Sequence, residues 1–209
     1  MTNQLGHLLL SLSFGLALLQ SVMSLAGAHR LDGRWITLGR RAAYLQFLAL
    51  ALAFAALTKA FIVSDFSLAV IAENSHSAKP LIYKIAGVWG NHEGSILLWV
   101  LILALFGAAV GWFGKSLPMT LQARVLGVQG LIGLGFLAFI LATSDPFTLI
   151  SPVPLDGRDL NPLLQDIGLA IHPPMLYLGY VGFSMAFAFA IAALLEGRVD
   201  AAWGRWVKP

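Results

Sequence analysis

One histidine stands where an apolar segment begins, in the order Ile171-His172-Pro173-Pro174. Two consecutive prolines fit the first turn of a helix, where backbone N–H groups have no partner within the helix. The sequence therefore predicts that His172 is held at the end of a helix that begins near Ile171. A neutral imidazole in that place could be an axial ligand of haem iron, or it could be an interfacial residue that caps the helix.

A second polar motif, Trp89-Gly90-Asn91-His92-Glu93-Gly94-Ser95, leads into another apolar segment. A tryptophan flanked by glycines could let a flat ligand approach the backbone closely. The alternative is an aromatic anchor at a membrane interface. His92-Glu93 is not a zinc-protease site, because the position where a second histidine would be needed is Ile96.

A third motif, Gly157–Asp166, precedes His172 and contains the cation Arg158. Its guanidinium could pair with a haem propionate. It could equally pair with a neighbouring carboxylate, Asp156 or Asp159.

The composition shows which solvent surrounds these motifs. Hydrophobic residues make up 58% of the 209 and charged residues 11%, whereas a soluble domain carries about a quarter charged residues. Membrane lipid is therefore the expected environment. No basic cluster lies on a soluble domain, which argues against nucleic acid despite the net charge of +3. The absence of cysteine excludes thiol–disulfide exchange and covalent haem attachment by this chain.

Five apolar stretches are long enough to cross a bilayer, which takes roughly 20 helical residues. They are apolar nearly all round, and no alternating strand pattern competes with a helical one. We therefore predict an all-α fold, a polytopic membrane helix bundle, with residues 1–209 as a single transmembrane domain. Glycines such as Gly127, Gly130, Gly133 and Gly135 indicate close helix packing rather than a nucleotide loop. The predicted spans are Leu5–Ala28, Ala42–Val63, Ser95–Phe113, Leu121–Thr143 and Ile171–Leu195.

Loop charges predict the orientation. Nine Lys and Arg residues lie in loops one, three and five, against three in the alternate loops, which places the odd loops in the cytoplasm and the N-terminus outside. The nine are Arg30, Arg34, Arg40, Arg41, Lys115, Arg124, Arg198, Arg205 and Lys208. The two long outside loops each contain a short apolar helical stretch, Pro80–Trp89 and Pro162–Leu169, the latter behind an Asn161 cap.

These motifs resemble the CcmF family of cytochrome c maturation proteins along essentially the whole chain. The resemblance is carried by Trp89–Trp99, Gly157–Asp166 and His172–Phe183. It implies a subunit of a haem lyase in the bacterial inner membrane that receives haem from the chaperone CcmE. With CcmH-type subunits it would attach that haem to apocytochrome c. The relative that serves nitrite-reductase cytochromes shares these motifs.

The resemblance also implies site residues. His172 matches the first of two periplasmic histidines proposed as axial ligands. Independently of the resemblance, the placement of Trp89 and His92 at an outer helix end predicts a platform for the haem chaperone or its cargo, and Arg158 could contact a propionate. Family members are several times longer, so the chain is expected to be a fragment or one product of a split gene and to be inactive alone. The competing hypothesis is a transporter or ion-coupled subunit in which Lys59, His92 and Glu93 line a pathway. A purely structural scaffold is a third.

Overall fold

The computed structural model describes residues 2–197 and 203–204 and shows helices joined by two long connections. Two of the connections between helices contain a single turn of 3-10 helix, at Gly114–Ser116 and at Pro162–Leu164. The helices are α1 Thr2–Arg30, α2 Gly33–Ile62, α3 Ala69–Asn74, α4 Leu81–Gly87, α5 His92–Phe113, α6 Met119–Thr143 and α7 Ile167–Glu196.

Five of the helices described, α1, α2, α5, α6 and α7, are long and apolar enough to cross a membrane. This confirms the predicted all-α multi-pass bundle and the order of its five spans. The observed helices start earlier than the apolar runs, because polar caps extend them beyond the hydrophobic residues. Asp32 accepts a hydrogen bond from the Arg34 backbone N–H before α2, and Asn91 accepts one from Gly94 before α5. Of the nine predicted inside cations, Arg198, Arg205 and Lys208 lie outside the described residues.

Small residues and buried glutamines hold α1, α5 and α6 together. A Cβ on Gly130 would lie 3.0 Å from the backbone nitrogen of Ser21, so α1 and α6 approach closely there. The Gln20 side chain donates to the Leu126 carbonyl over 2.7 Å between the same helices. The packing role predicted for the glycines is confirmed at Gly130 and wrong at Gly135, which faces open space.

Helix α7 lies at the edge of the bundle, against α5 and α6. In its most apolar 18-residue stretch only 22% is buried, against 50% in the corresponding stretches of α5 and α6. Its buried residues Val181, Ala188 and Ala192 follow one stripe, whereas Phe183 and Phe187 are exposed. One face of α7 therefore has no protein partner among the described residues.

The two long connections, residues 63–91 and 144–166, form one layer over one end of the bundle, which we call the loop layer. Leu68 and Leu149 form an antiparallel bridge. The short helix Leu81–Gly87 was predicted within Pro80–Trp89, whereas Ala69–Asn74 was not predicted. Further backbone hydrogen bonds join the two connections: Ala69 N–H to Thr148 O, Arg158 N–H to Ala72 O and Asp159 N–H to Ser75 O.

Candidate functional site

Helix α7 begins four residues before the predicted start, and this changes the setting of the two prolines. The Asp166 carboxylate accepts a hydrogen bond from the Gly168 N–H at 2.8 Å, and α7 begins at Ile167. Pro173 and Pro174 therefore lie in the second turn, and the prediction that they occupy the first turn is wrong. The cause is the Asp166 cap, which starts the helix before the apolar run.

His172 is exposed on the outward face of α7. It precedes the buried Val181 by nine residues, which places it about 180° around the helix from the stripe that packs on α5 and α6. Its neighbours on the outward face, Met175 and Leu176, are exposed as well. The imidazole makes no hydrogen bond or ion pair with any residue that the structure describes, so both ring nitrogens are available.

Trp89 lies on the opposite, inward side of α7. Its Nε1–H donates a hydrogen bond of 2.9 Å to the carbonyl of Ala170. Its ring stacks on Phe54 of α2 at a centroid distance of 6.5 Å and an interplanar angle of 12°. The structure thus brings the Trp89 motif to the start of α7, with the helix itself between Trp89 and His172.

A cavity of about 220 Å³ lies beside this hydrogen bond. It is lined by Trp89, Leu160, Pro173 and Tyr177, together with the backbone around Gly90. Ligand pockets usually measure about 300–1,000 Å³, so a haem does not fit inside. The cavity leaves space on the inward side of the proline turn.

His92 is the first residue of α5 and contacts a different part of the molecule. Its Nε2 lies 3.0 Å from Ser144 Oγ, and its ring meets Phe139 edge to face at 6.2 Å. Both partners are at the end of α6. Trp89 and His92, which the sequence places in one motif, therefore point to different neighbours.

Arg158 has neither of the carboxylate partners considered from the sequence. Asp159 pairs with Lys79 at 3.0 Å, and Asp156 accepts hydrogen bonds from Ser77. The Arg158 guanidinium is exposed and makes no ion pair with any described residue. It is available to an anion from outside this chain.

Hydrogen bonds in the loop layer lower the pKa values of both carboxyl groups. The Ser77 hydroxyl and backbone N–H lower the pKa of Asp156 to about 2. Desolvation raises the pKa of Asp159, but hydrogen bonds from Lys79 and the Leu160 N–H outweigh it, and the net shift is downward. Burial lowers the pKa of Lys79 more than Asp159 raises it.

Two of these residues have side-chain chemistry that is compatible with haem. An exposed imidazole on an open, largely apolar helix face can approach iron from one side, and the Arg158 guanidinium suits a propionate. The described residues contain no cluster of three His, Cys, Asp or Glu side chains that could hold a metal ion.

Two features of the site were missed in the sequence. Lys79 was counted only as a loop charge, yet its side chain is 1% exposed. The hydrogen bond from Trp89 to Ala170 was also missed, although Pro174 gives a signal for it. A proline has no N–H for the carbonyl four residues before it, and that carbonyl is Ala170.

The family model for the cytochrome C assembly protein matches residues 89–207, more than half of the chain, and the match includes Trp89, Arg158 and His172. This chain belongs to the cytochrome C assembly protein family.

Relatives within the cytochrome C assembly family are much longer. A cytochrome c-type biogenesis protein of Rhodobacter capsulatus is 60% identical over 209 residues, covering 100% of this chain and 32% of that protein. NrfE of Haemophilus influenzae is 41% identical over 95% of this chain and 31% of its own length. A solved structure of the cytochrome c haem lyase CcmF superposes with a TM-score of 0.86 at 31% identity, covering 99% of this chain and 32% of that one. The chain thus spans about a third of these relatives.

Proposed function

We propose that this chain forms the N-terminal membrane domain, residues 1–209, of a haem lyase subunit in cytochrome c biogenesis. The complete subunit would receive haem from the chaperone CcmE and, with CcmH-type subunits, present it to apocytochrome c. Support comes from the family match and from relatives named for cytochrome c biogenesis. The acceptor would be a general c-type cytochrome or a nitrite-reductase cytochrome.

His172 is the residue that supports this proposal best. It offers an unpartnered imidazole on the outward face of α7, and this face also exposes Phe183 and Phe187. We propose that the remaining two thirds of the protein pack on this face and supply the second axial ligand. When bound, haem iron would be coordinated by the His172 imidazole, and the haem would lie outside the bundle.

The other site residues have proposed supporting roles. Arg158 would pair with a haem propionate, since its guanidinium has no partner among the described residues. His92 and Trp89 would shape the surface that meets the haem chaperone or its cargo. His92 does so through the α6 end at Ser144.

We also propose the bacterial inner membrane as the location, with the N-terminus and the loop layer in the periplasm. The nine-to-three asymmetry of Lys and Arg supports this orientation. Reporter fusions after Ser64 and Gly157 should be active only outside the cytoplasm. A cytoplasmic signal at either site would contradict the orientation.

The test of the haem ligand is His172→Ala in the full-length protein. Haem transfer from the chaperone should be lost, because the iron loses one axial ligand, while the abundance of the protein is unchanged. Free imidazole should restore part of the transfer by filling the vacated position. The readouts are the absorbance of haem on the purified subunit and the yield of mature cytochrome c.

His7→Ala is the matched control. His7 is also exposed at the loop-layer end of the bundle, and it pairs with Asp145 at 2.6 Å. Because the His7 imidazole is 55% exposed, its pair with Asp145 should contribute about 1 kcal/mol or less, so haem transfer should stay normal. Normal cytochrome c yield in His172→Ala would show that His172 is only part of a helix end.

A further inference from the structure

We infer that Trp89 is a positioning residue for His172, acting through the backbone of α7 without touching the ligand. This inference rests on the proposed haem-ligand role of His172. The contact that carries it is the Trp89 Nε1–H donating to the Ala170 carbonyl at 2.9 Å, two residues before His172.

The acceptor exists because of the double proline. In an uninterrupted helix the N–H of residue 174 would donate to the carbonyl of residue 170. Pro174 has no N–H, so the Ala170 carbonyl is left without its helical partner. Ala170 is 5% exposed, and a buried carbonyl without a donor is costly. The indole N–H replaces the missing backbone donor.

The donor is held firmly by the bundle. Trp89 stacks on Phe54 of α2 and follows directly on Val88, which is fully buried. Gly94 packs directly against Val88 and has no space for a side chain, because a Cβ there would lie 1.7 Å from the Val88 carbonyl oxygen. Trp89 therefore links a rigid part of the bundle to the turn in which the prolines have removed helical hydrogen bonds.

The geometry excludes a direct contact as the reason for this role. Ala170 and Tyr177 face inward, whereas His172 lies on the outward face of the same turns. Trp89 can affect His172 only through the height and rotation of the α7 backbone. The cavity of about 220 Å³ on the inward side is the space into which that turn would shift without the hydrogen bond.

The decisive variant is Trp89→Phe in the full-length protein in lipid nanodiscs without haem. Phenylalanine keeps an aromatic ring for stacking on Phe54 but has no N–H. Amide hydrogen exchange in residues 167–172 should become about tenfold faster, while exchange in α2 and α6 is unchanged. Trp112→Phe, which changes an indole at the far end of α5, is the control and should leave residues 167–172 as in the wild type.

A double-mutant cycle separates positioning from loss of packing. Pro174→Ala supplies a backbone N–H to the Ala170 carbonyl, so the hydrogen bond from Trp89 becomes dispensable. In that background Trp89→Phe should change the exchange of residues 167–172 less than twofold. An equally large effect in both backgrounds would overturn the inference, because it would show that the indole acts by packing alone.

Haem gives the second readout and distinguishes the two proposals. Trp89→Phe should lower haem affinity several-fold and shift the low-spin electron paramagnetic resonance signal, since the imidazole plane turns with the backbone. If His172→Ala leaves haem binding and cytochrome c yield intact, the proposed haem-ligand role of His172 fails. If His172→Ala abolishes haem binding but Trp89→Phe retains wild-type exchange and spectrum, only the positioning role fails.

Discussion

The loop layer and the first turns of α7 lie at the same end of the bundle, but they are held in different ways. The loop layer is joined by backbone hydrogen bonds between its two connections and by the ion pair between the buried Lys79 and Asp159. The start of α7 contains two prolines and exposes His172. Cross-connection contacts thus hold the loop layer together, whereas the start of α7 leaves the polar side chain of His172 exposed.

The largest expected effect compares a glycine of the loop layer with a glycine farther along α7. A Cβ on Gly157 would lie 2.0 Å from the Ser75 carbonyl oxygen, so Gly157→Ala should destabilise the protein by about 2–3 kcal/mol. Nothing lies within 4 Å of a Cβ on Gly179 in α7, so Gly179→Ala should be neutral or stabilise by up to about 1 kcal/mol. Unfolding by SDS, followed by circular dichroism, measures both. Equal losses in the two variants would remove the contrast between the regions.

Removing the Lys79–Asp159 ion pair tests how the two connections of the loop layer are held together. Lys79→Met leaves Asp159 without its cation, but this carboxylate is 43% exposed and can be hydrated. The loss should therefore be about 1–2 kcal/mol, below that of a fully buried pair. Proteolysis within residues 150–160 should become faster while α7 stays protected.

Lys115→Met is the control for Lys79→Met, because Lys115 is exposed and has no ion pair with a described residue. It should leave both stability and proteolysis unchanged. Faster cleavage in α7 of the Lys79→Met variant would show that the two regions open as one unit.

Acid should loosen the loop layer before it affects α7. The folded-state pKa of Asp156 is about 2, below the ordinary value of 3.8, so its stabilising effect is complete above pH 3.8 and is lost as the pH falls through about 2. The lowered pKa of Asp159 acts in the same direction. The lowered pKa of Lys79 makes the stability depend on pH only at alkaline pH, where this ammonium group loses its proton.

Thermal unfolding followed between pH 5 and pH 2 measures this acid effect. Asp156→Asn should flatten the decrease in the melting temperature over that interval, because the amide does not titrate. An unchanged slope would mean that protonation of Asp156 does not cause the decrease in the melting temperature.

Arg158 should give the smallest change in stability. Its guanidinium has no partner among the described residues, so Arg158→Gln should alter the unfolding free energy by less than about 0.5 kcal/mol. Haem retention on the full-length protein should fall, and Arg158→Lys should restore part of it because the positive charge returns. A large loss of stability would instead place Arg158 in the structure of the loop layer.

The sequence was sufficient for the features that depend on composition and local order. Apolar runs of bilayer length predicted the five spans, and Asn161 was correctly identified as a cap, since it accepts the Leu163 N–H at 3.0 Å. Three long motifs indicated the family that the family model then matched. These signals are local because lipid requires each spanning segment to satisfy its own backbone hydrogen bonds.

Only the tertiary structure decided which polar groups meet. From the sequence, Trp89 and His92 formed one motif, yet one lies against α7 and the other against α6. Asp159 was considered as a possible partner of Arg158, but it forms an ion pair with Lys79, which is distant in sequence. The start of α7 was predicted at Ile171, from the apolar run alone. The helix begins at Ile167 because Asp166 caps it. Such pairings depend on how the two long connections fold over the bundle. Neither apolar periodicity nor residue spacing predicts which residues of the two connections come into contact.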